Sequence, residues 1–268
     1  MLNANKKLKL IASIKSYQKK YFAKKLDDLD ESGTRLLINE LLSEALCFQP
    51  IEEIKTEYMI RGTYADYVIQ AKGDRHFLVE VKALSLNLSD KHLRQTINYG
   101  ANEGIDWALL TNGKDIQFYK ILFNKPIESK LVFQIDLSDT TKVKENAEWL
   151  QHLHREEVVK KSLDMLWNKF MALETYTIAG LLFNNTVVNF LKRELKRKFK
   201  SKFEEKEIKE ALTNLVCTSV NWEKVKITGS RKVRPKDDDK VIVKVSKAMI
   251  ATTMNPNPVV EITGEDIS

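Results

Sequence analysis

Only two cysteines, Cys47 and Cys217, occur in the 268 residues, and they lie far apart. Neither a disulfide framework nor a cysteine-rich zinc site is therefore encoded. Both lie in apolar stretches and read as buried free thiols, which fits a reducing compartment. The four histidines, His76, His92, His152 and His154, show no zinc-ligand spacing with them. No run reaches the roughly 18 apolar residues of a membrane helix. The apolar stretch Leu8 to Ala12 is interrupted by Lys9 and is too short for a signal peptide. These absences predict a cytoplasmic protein with no membrane partner. Internal repeats and long low-complexity segments are also missing.

What is present is an ordinary globular balance, 43% hydrophobic and 30% charged, in a chain long enough to bury a core without staples. Lys and Arg number 44 against 37 Asp and Glu, a net charge of +7. That excess draws the chain toward polyanions such as nucleic acid.

The hydrophobic period changes along the chain. Residues 1–30 read as a lysine-rich helix, with Leu10, Ile14, Tyr17 and Tyr21 at helical spacing, and Ser32-Gly33 reads as the break after it. A second helix is expected from Thr34 to about Leu46. Three strands follow, at 54–60, 65–70 and 77–82, the last two joined by a hairpin turn at Lys72-Gly73-Asp74. A helix from Ser89 to about Asn102 leads to a strand pair, 107–111 and 116–121, and to a last strand at 132–137. From 143 to 216 the pattern is helical. The tail holds two short β-like runs, 225–227 and 241–245. The expected fold is α/β (α+β), with an α-β-β-β-α-β core on a mixed sheet. Its expected divisions are 1–30, 31–140, 141–220 and 221–268.

The hairpin carries the chemistry. With a three-residue turn at 72–74, Ala71 faces Arg75 and Asp66 falls opposite Glu80. Directly opposed side chains stand about 4.5–5.5 Å apart at Cβ. Alternation puts Glu80 and Lys82 on the same face as Asp66, and sends Tyr67, Ile69, Val79 and Val81 to the other. Two opposed carboxylates beside Val68 and Leu78 repel one another, and burial sharpens the repulsion. A hard divalent cation resolves it. A solvated hairpin face with an incidental Glu–Lys pair has the same sequence, and a one-residue slip would carry Asp66 to the opposite face.

Asp66, 13 intervening residues, then Glu80-Val81-Lys82 resembles the D…(D/E)-x-K signature of the PD-(D/E)xK phosphodiesterase superfamily. More narrowly, residues 30–137 resemble the N-terminal endonuclease domain of type I restriction enzyme R subunits. The supporting segments are Thr34-Arg35-Leu36-Leu37-Ile38, Ala65-Asp66-Tyr67, Leu78 to Lys82, Gln95-Thr96-Ile97-Asn98-Tyr99 and Leu109-Leu110-Thr111-Asn112-Gly113. Ala65 stands where the superfamily name has proline. No G-x-x-x-x-G-K-[ST] phosphate loop occurs, so the helicase motor of a full R subunit is missing.

The resemblance implies a Mg²⁺-dependent (or Mn²⁺-dependent) DNA endonuclease with a restriction or defence role, acting on DNA with other restriction-modification subunits as candidate partners. Asp66, Glu80 and the backbone carbonyl of Val81 are the implied metal ligands, and Lys82 the residue that orients water or stabilises charge. A further acid from the first core helix is expected, with Glu31 the best match and Glu40 and Glu44 as alternatives. Gln95 and Tyr99, four apart on a helix, are implied to lie near the site and to position DNA or Lys82. The densest basic run, with Lys192, Arg193, Lys196, Arg197 and Lys200, reads either as a solvated helix face or as a phosphate-binding one. Arg231, Lys232, Arg234 and Lys236 form a second candidate patch, offset by Asp237-Asp238-Asp239. A catalytically silent nucleic-acid-binding or assembly module is the competing expectation.

Overall fold

A computed structural model describes residues 1–23, 29–60 and 63–217, without the side chains at 57–60, 63, 64, 90 and 95. The tail runs and the patch at 231–236 lie outside the described residues. The chain divides into two compact units, Met1–Phe170 and Met171–Ser268.

The first unit is built on a sheet of six strands among the described residues, ordered as in the sequence: β1 (Ile54–Ile60), β2 (Thr63–Ala71), β3 (Asp74–Val81), β4 (Trp107–Thr111), β5 (Asp115–Leu122) and β6 (Glu128–Asp136). Neighbours are antiparallel except β3 and β4, which run parallel. Ahead of the sheet come α1 (Ala4–Tyr21) and α2 (Glu31–Glu40), and α3 (Arg94–Glu103) makes the β3–β4 crossover, as a parallel pair requires. After the sheet come α4 (Val143–Leu150), α5 (Arg155–Val159) and α6 (Ser162–Leu173). The expected mixed α/β core is thus present.

The two sheet faces differ as the alternation predicts. Tyr67, Ile69, Phe77, Val79 and Val81 join a large apolar cluster with Leu10 and Ile14 of α1, Leu37 and Ile38 of α2 and Ala147 of α4. Val68, Leu78, Ala108, Leu110 and Ile121 face the other way, under Tyr99 of α3. Gly100 lets α3 come down closely: a Cβ there would stand 2.5 Å from the Ile105 carbonyl oxygen and 2.9 Å from Ile121 Cδ1.

Three local expectations need correction. Ser32-Gly33 does not break a helix. It lies in the first turn of α2, capped by the Asp30 carboxylate, which accepts from the Gly33 N–H at 2.7 Å; a first turn has no intrahelical demand on those N–H groups. The β2–β3 turn has two residues, Lys72 and Gly73, both at positive φ (52° and 88°), so that Ala71 faces Asp74. Cys47 is exposed and Cys217 half-buried, so neither is the buried thiol expected.

The second unit, as far as it is described, holds α7 (Thr175–Leu182), α8 (Asn185–Phe199) and α9 (Glu205–Cys217). Its small core is Ala179, Phe183 and Val216, with Leu182 and Leu212 against them.

Candidate active site

The opposition of Asp66 and Glu80 survives the altered turn because a second irregularity cancels it. Gln70 faces Arg75 but Ile69 faces Phe77, leaving His76 as an extra, bulged residue. Beyond the bulge Val68 faces Leu78 and Tyr67 faces Val79. One step further, the same register sets Asp66 against Glu80.

At that step the β2–β3 ladder hands over to side chains. The Lys82 N–H turns to β4 and donates to the Thr111 carbonyl at 2.8 Å. The neighbouring Val81 N–H points the opposite way, toward β2, and donates to Asp66 Oδ2 at 2.6 Å. Asp66 Oδ1 accepts from Arg35 Nη2. Glu80 Oε1 lies 2.7 Å from Lys82 Nζ, and Glu80 Oε2 accepts from the Thr96 hydroxyl at 2.8 Å. Thr96 lies in the first turn of α3, whose positive end favours an anion there. Lys82 Nζ also reaches Glu31 Oε1 at 3.3 Å. Glu31, the first residue of α2, is brought to Lys82 as the Leu84 N–H donates to the Leu29 carbonyl at 3.0 Å.

The result is a linked charge cluster in which Glu31 and Glu80 pair with Lys82, and Asp66, the like-charged neighbour of Glu80, pairs with Arg35. Its floor is closed and its rim open. Side-chain exposure rises from 8% at Glu80 and 9% at Asp66, through 18% at Lys82, to 33% at Arg35 and 46% at Glu31. The charges therefore reach solvent on the α2 side and are not sealed in.

Burial pushes the Glu80 carboxyl above its ordinary value; the Lys82 hydrogen bond opposes this and the nearby Asp66 charge adds to it. That Asp66 raises the Glu80 value shows the like-charge strain that the hairpin geometry implied. Burial works against the Lys82 charge, but Glu80 and Glu31 outweigh it and its pKa rises. For Arg35, burial is likewise outweighed by Asp66. Both bases stay cationic.

The structure thus brings Asp66, Glu80, Lys82 and Glu31 together. Val81 lies between two of them, its side chain buried on the opposite face. Glu40 and Glu44 are elsewhere: Glu40 accepts from Lys20 and Tyr21, and both line a separate cavity of about 700 Å³ with Ser13, Asn39 and Thr56. Tyr99 was expected near the site, to position DNA or Lys82. It is fully buried between α3 and the sheet, where it packs the helix. Gln95 lies on α3, with its side chain outside the described residues. Lys192, Arg193, Lys196, Arg197 and Lys200 are all exposed, the first four on α8 and Lys200 at its C-terminal cap. Arg197 pairs with Glu194 at 2.5 Å.

Two contributors were given no role by sequence reasoning, Arg35 and Thr96. Both lie in segments that carried the resemblance, but nothing in their local spacing marks a partner 31 or 16 residues away.

Among the described residues, no group of three or more His, Cys, Asp or Glu side chains is placed to hold a metal ion. Mg²⁺, however, commonly takes only one or two carboxylates from a protein and fills its shell with water and phosphate. Each oxygen of Asp66 and Glu80 has a partner here, and a carboxylate oxygen accepts from two directions. The donor chemistry fits Mg²⁺ or Mn²⁺ held partly by substrate, and does not fit a preformed all-protein cage. No described helix is long and apolar enough to cross a membrane.

Residues 31–131 match the family described as Type I restriction enzyme R protein N terminus (HSDR_N), in agreement with the resemblance carried by the motifs. The matched segment runs from Glu31 through the hairpin into β6 and so contains the whole charged cluster. Neither a search of curated proteins nor a search of solved structures found a match.

Proposed function

Taking residues 31–131 as a domain of this restriction-enzyme-related nuclease family, we propose that the chain is a metal-dependent DNA endonuclease, with a restriction or defence role and with other restriction-modification subunits as partners. The observation that carries the reading is the convergence of Asp66, Glu80, Lys82 and Glu31 at one solvent-reaching corner of the sheet.

Asp66 and Glu80, with the Val81 carbonyl beside them, would hold Mg²⁺ or Mn²⁺. When bound, such an ion supplies Lewis-acid stabilisation of the phosphate and a lower pKa for attacking water. The chain's own residues do the rest. Lys82, placed beside Glu80 and Glu31, donates to the water or to the phosphate oxygen on which negative charge develops. Glu31 fixes the ammonium from the α2 side, and Thr96 fixes the Glu80 carboxylate from the α3 side, so that neither rotates away from the reacting centre. The basic face of α8 supplies sequence-independent attraction for the phosphate backbone.

A second reading is favoured by one observation: every oxygen of Asp66 and Glu80 already has an internal partner. In that reading the ion pairs are permanent and the domain is a silent binding or assembly module. Purified wild type, D66A and K82A on supercoiled plasmid, with and without Mg²⁺, separate the two. Nicking or linearisation by wild type alone, and only with Mg²⁺, supports the enzyme. Binding without cleavage by all three forms supports the module.

A further inference from the structure

Arg35 stands at the mouth of the cluster and has no part in the function proposed above. It lies four residues after Glu31, on the same face of α2. The Tyr67 hydroxyl donates to the Arg35 backbone carbonyl at 3.1 Å, which fastens this turn of α2 to β2 one residue from Asp66. Its guanidinium takes Asp66 Oδ1, the oxygen left over by the Val81 N–H. The carboxylate is 9% exposed and the arginine side chain 33%. The partner of a nearly buried acid is thus itself partly open to solvent.

The charge balance favours an exchange of partners at Asp66. Glu31, Asp66 and Glu80 against Lys82 and Arg35 leave one net negative charge. A divalent ion alone would turn it to one net positive charge, and a phosphodiester would then neutralise it. Lys82 keeps Glu31 when an ion takes Glu80, whereas the carboxylate that Arg35 pairs with, Asp66, is itself a ligand that the ion would take. A guanidinium also offers two parallel donors that match a phosphate.

Resting on the metal-site reading, we propose that Arg35 is an exchangeable counter-ion. It occupies Asp66 in the metal-free protein, yields Asp66 to the divalent ion, and then grips a non-bridging oxygen of the phosphodiester. Metal without DNA competes with Arg35; metal with DNA does not. The two ligands therefore bind with positive coupling, and Arg35 carries that coupling.

The test uses the full chain. Mn²⁺ alone is titrated calorimetrically into wild type, R35Q, R35K and D66A, and binding of a fluorescent DNA duplex is then measured with Ca²⁺ present. R35Q should bind Mn²⁺ about three- to tenfold more tightly than wild type, as loss of a part-exposed ion pair allows. It should bind the duplex about tenfold more weakly, as loss of a charge-assisted phosphate contact implies. R35K should return Mn²⁺ affinity to near the wild-type value. Unchanged or weaker Mn²⁺ binding by R35Q, with D66A abolishing it, overturns the counter-ion while leaving the metal site standing. An R35K that behaves as R35Q, or an R35Q with wild-type duplex affinity, overturns it as well. Equal Mn²⁺ binding by all four forms removes the metal from Asp66, and the proposed function falls with it.

Discussion

The molecule carries two concentrations of charge, and they are organised differently. At the end of β2 and β3, five charged side chains from three elements interlock, and the acids among them on the sheet are almost buried. On α8, Lys192, Arg193, Lys196 and Arg197 stand in solvent, Arg193 and Arg197 at 73% and 78% exposure, with Glu194 as a shared partner. The first arrangement costs desolvation and like-charge repulsion; the second costs almost nothing to fold. A costly cluster is where specific chemistry is sought, and a cheap one can do no more than attract. Residue number along the chain says little about this, since the α8 run is far the denser in sequence.

The largest expected effect breaks the comparison at its costly end. D66A and K82A should each lower the plasmid-cleavage rate by about 10³-fold, the scale of losing a charge-stabilising group from a preorganised site. Removing any one α8 cation should leave the rate on saturating DNA within about twofold, because an exposed phosphate contact adds affinity alone. A tenfold or larger fall in that rate from an α8 variant would mean that the helix is part of the reacting centre.

Stability sharpens the same contrast. Phe77, fully buried with ring neighbours Phe48 and Phe118 at 5.9 Å each, anchors the apolar face behind the hairpin. F77A should cost about 3–5 kcal/mol in urea denaturation. K196A should change stability by less than about 0.5 kcal/mol. Metal should act on one region and not the other. At a hundred times its Kd, Mn²⁺ should stabilise the first unit by about 2.7 kcal/mol. A thermal melt should then rise by roughly 5–10 °C, and EDTA or D66A should abolish the shift. The smallest effect is on salt dependence. Each α8 cation neutralised should flatten the slope of log Kd against log salt by about 0.9 if it meets duplex phosphate, measured by fluorescence anisotropy.

Much of the site was legible in the sequence, though partly by cancellation. Alternation in 66–70 and 77–82 placed Asp66, Glu80 and Lys82 on one face, and the two apolar clusters divide the strands accordingly. The turn was misread by one residue, and the bulge at His76 restores the register that the misreading assumed. Bulges depend on how a strand bends over its neighbours, which no local pattern encodes. Glu31 was legible only through the resemblance, because Ser32-Gly33 hid the start of α2. Arg35 and Thr96 were invisible as partners: each is an ordinary helix residue until the fold sets it against a carboxylate. The burial of Tyr99 was illegible for the converse reason. Its spacing from Gln95 marks a shared helix face, but not whether that face is turned to the sheet or to solvent.

The central claim is that Asp66 and Glu80 jointly hold one divalent ion. Crystals of the full chain grown with a short duplex and Mn²⁺, recorded for anomalous scattering, test it directly. The account predicts an anomalous peak between the two carboxylates, at direct coordination distance from an oxygen of each, with the Arg35 guanidinium moved from Asp66 to a phosphate oxygen. Full Mn²⁺ and duplex occupancy elsewhere, with no peak at Asp66 and Glu80 and the Arg35–Asp66 pair intact, would contradict it.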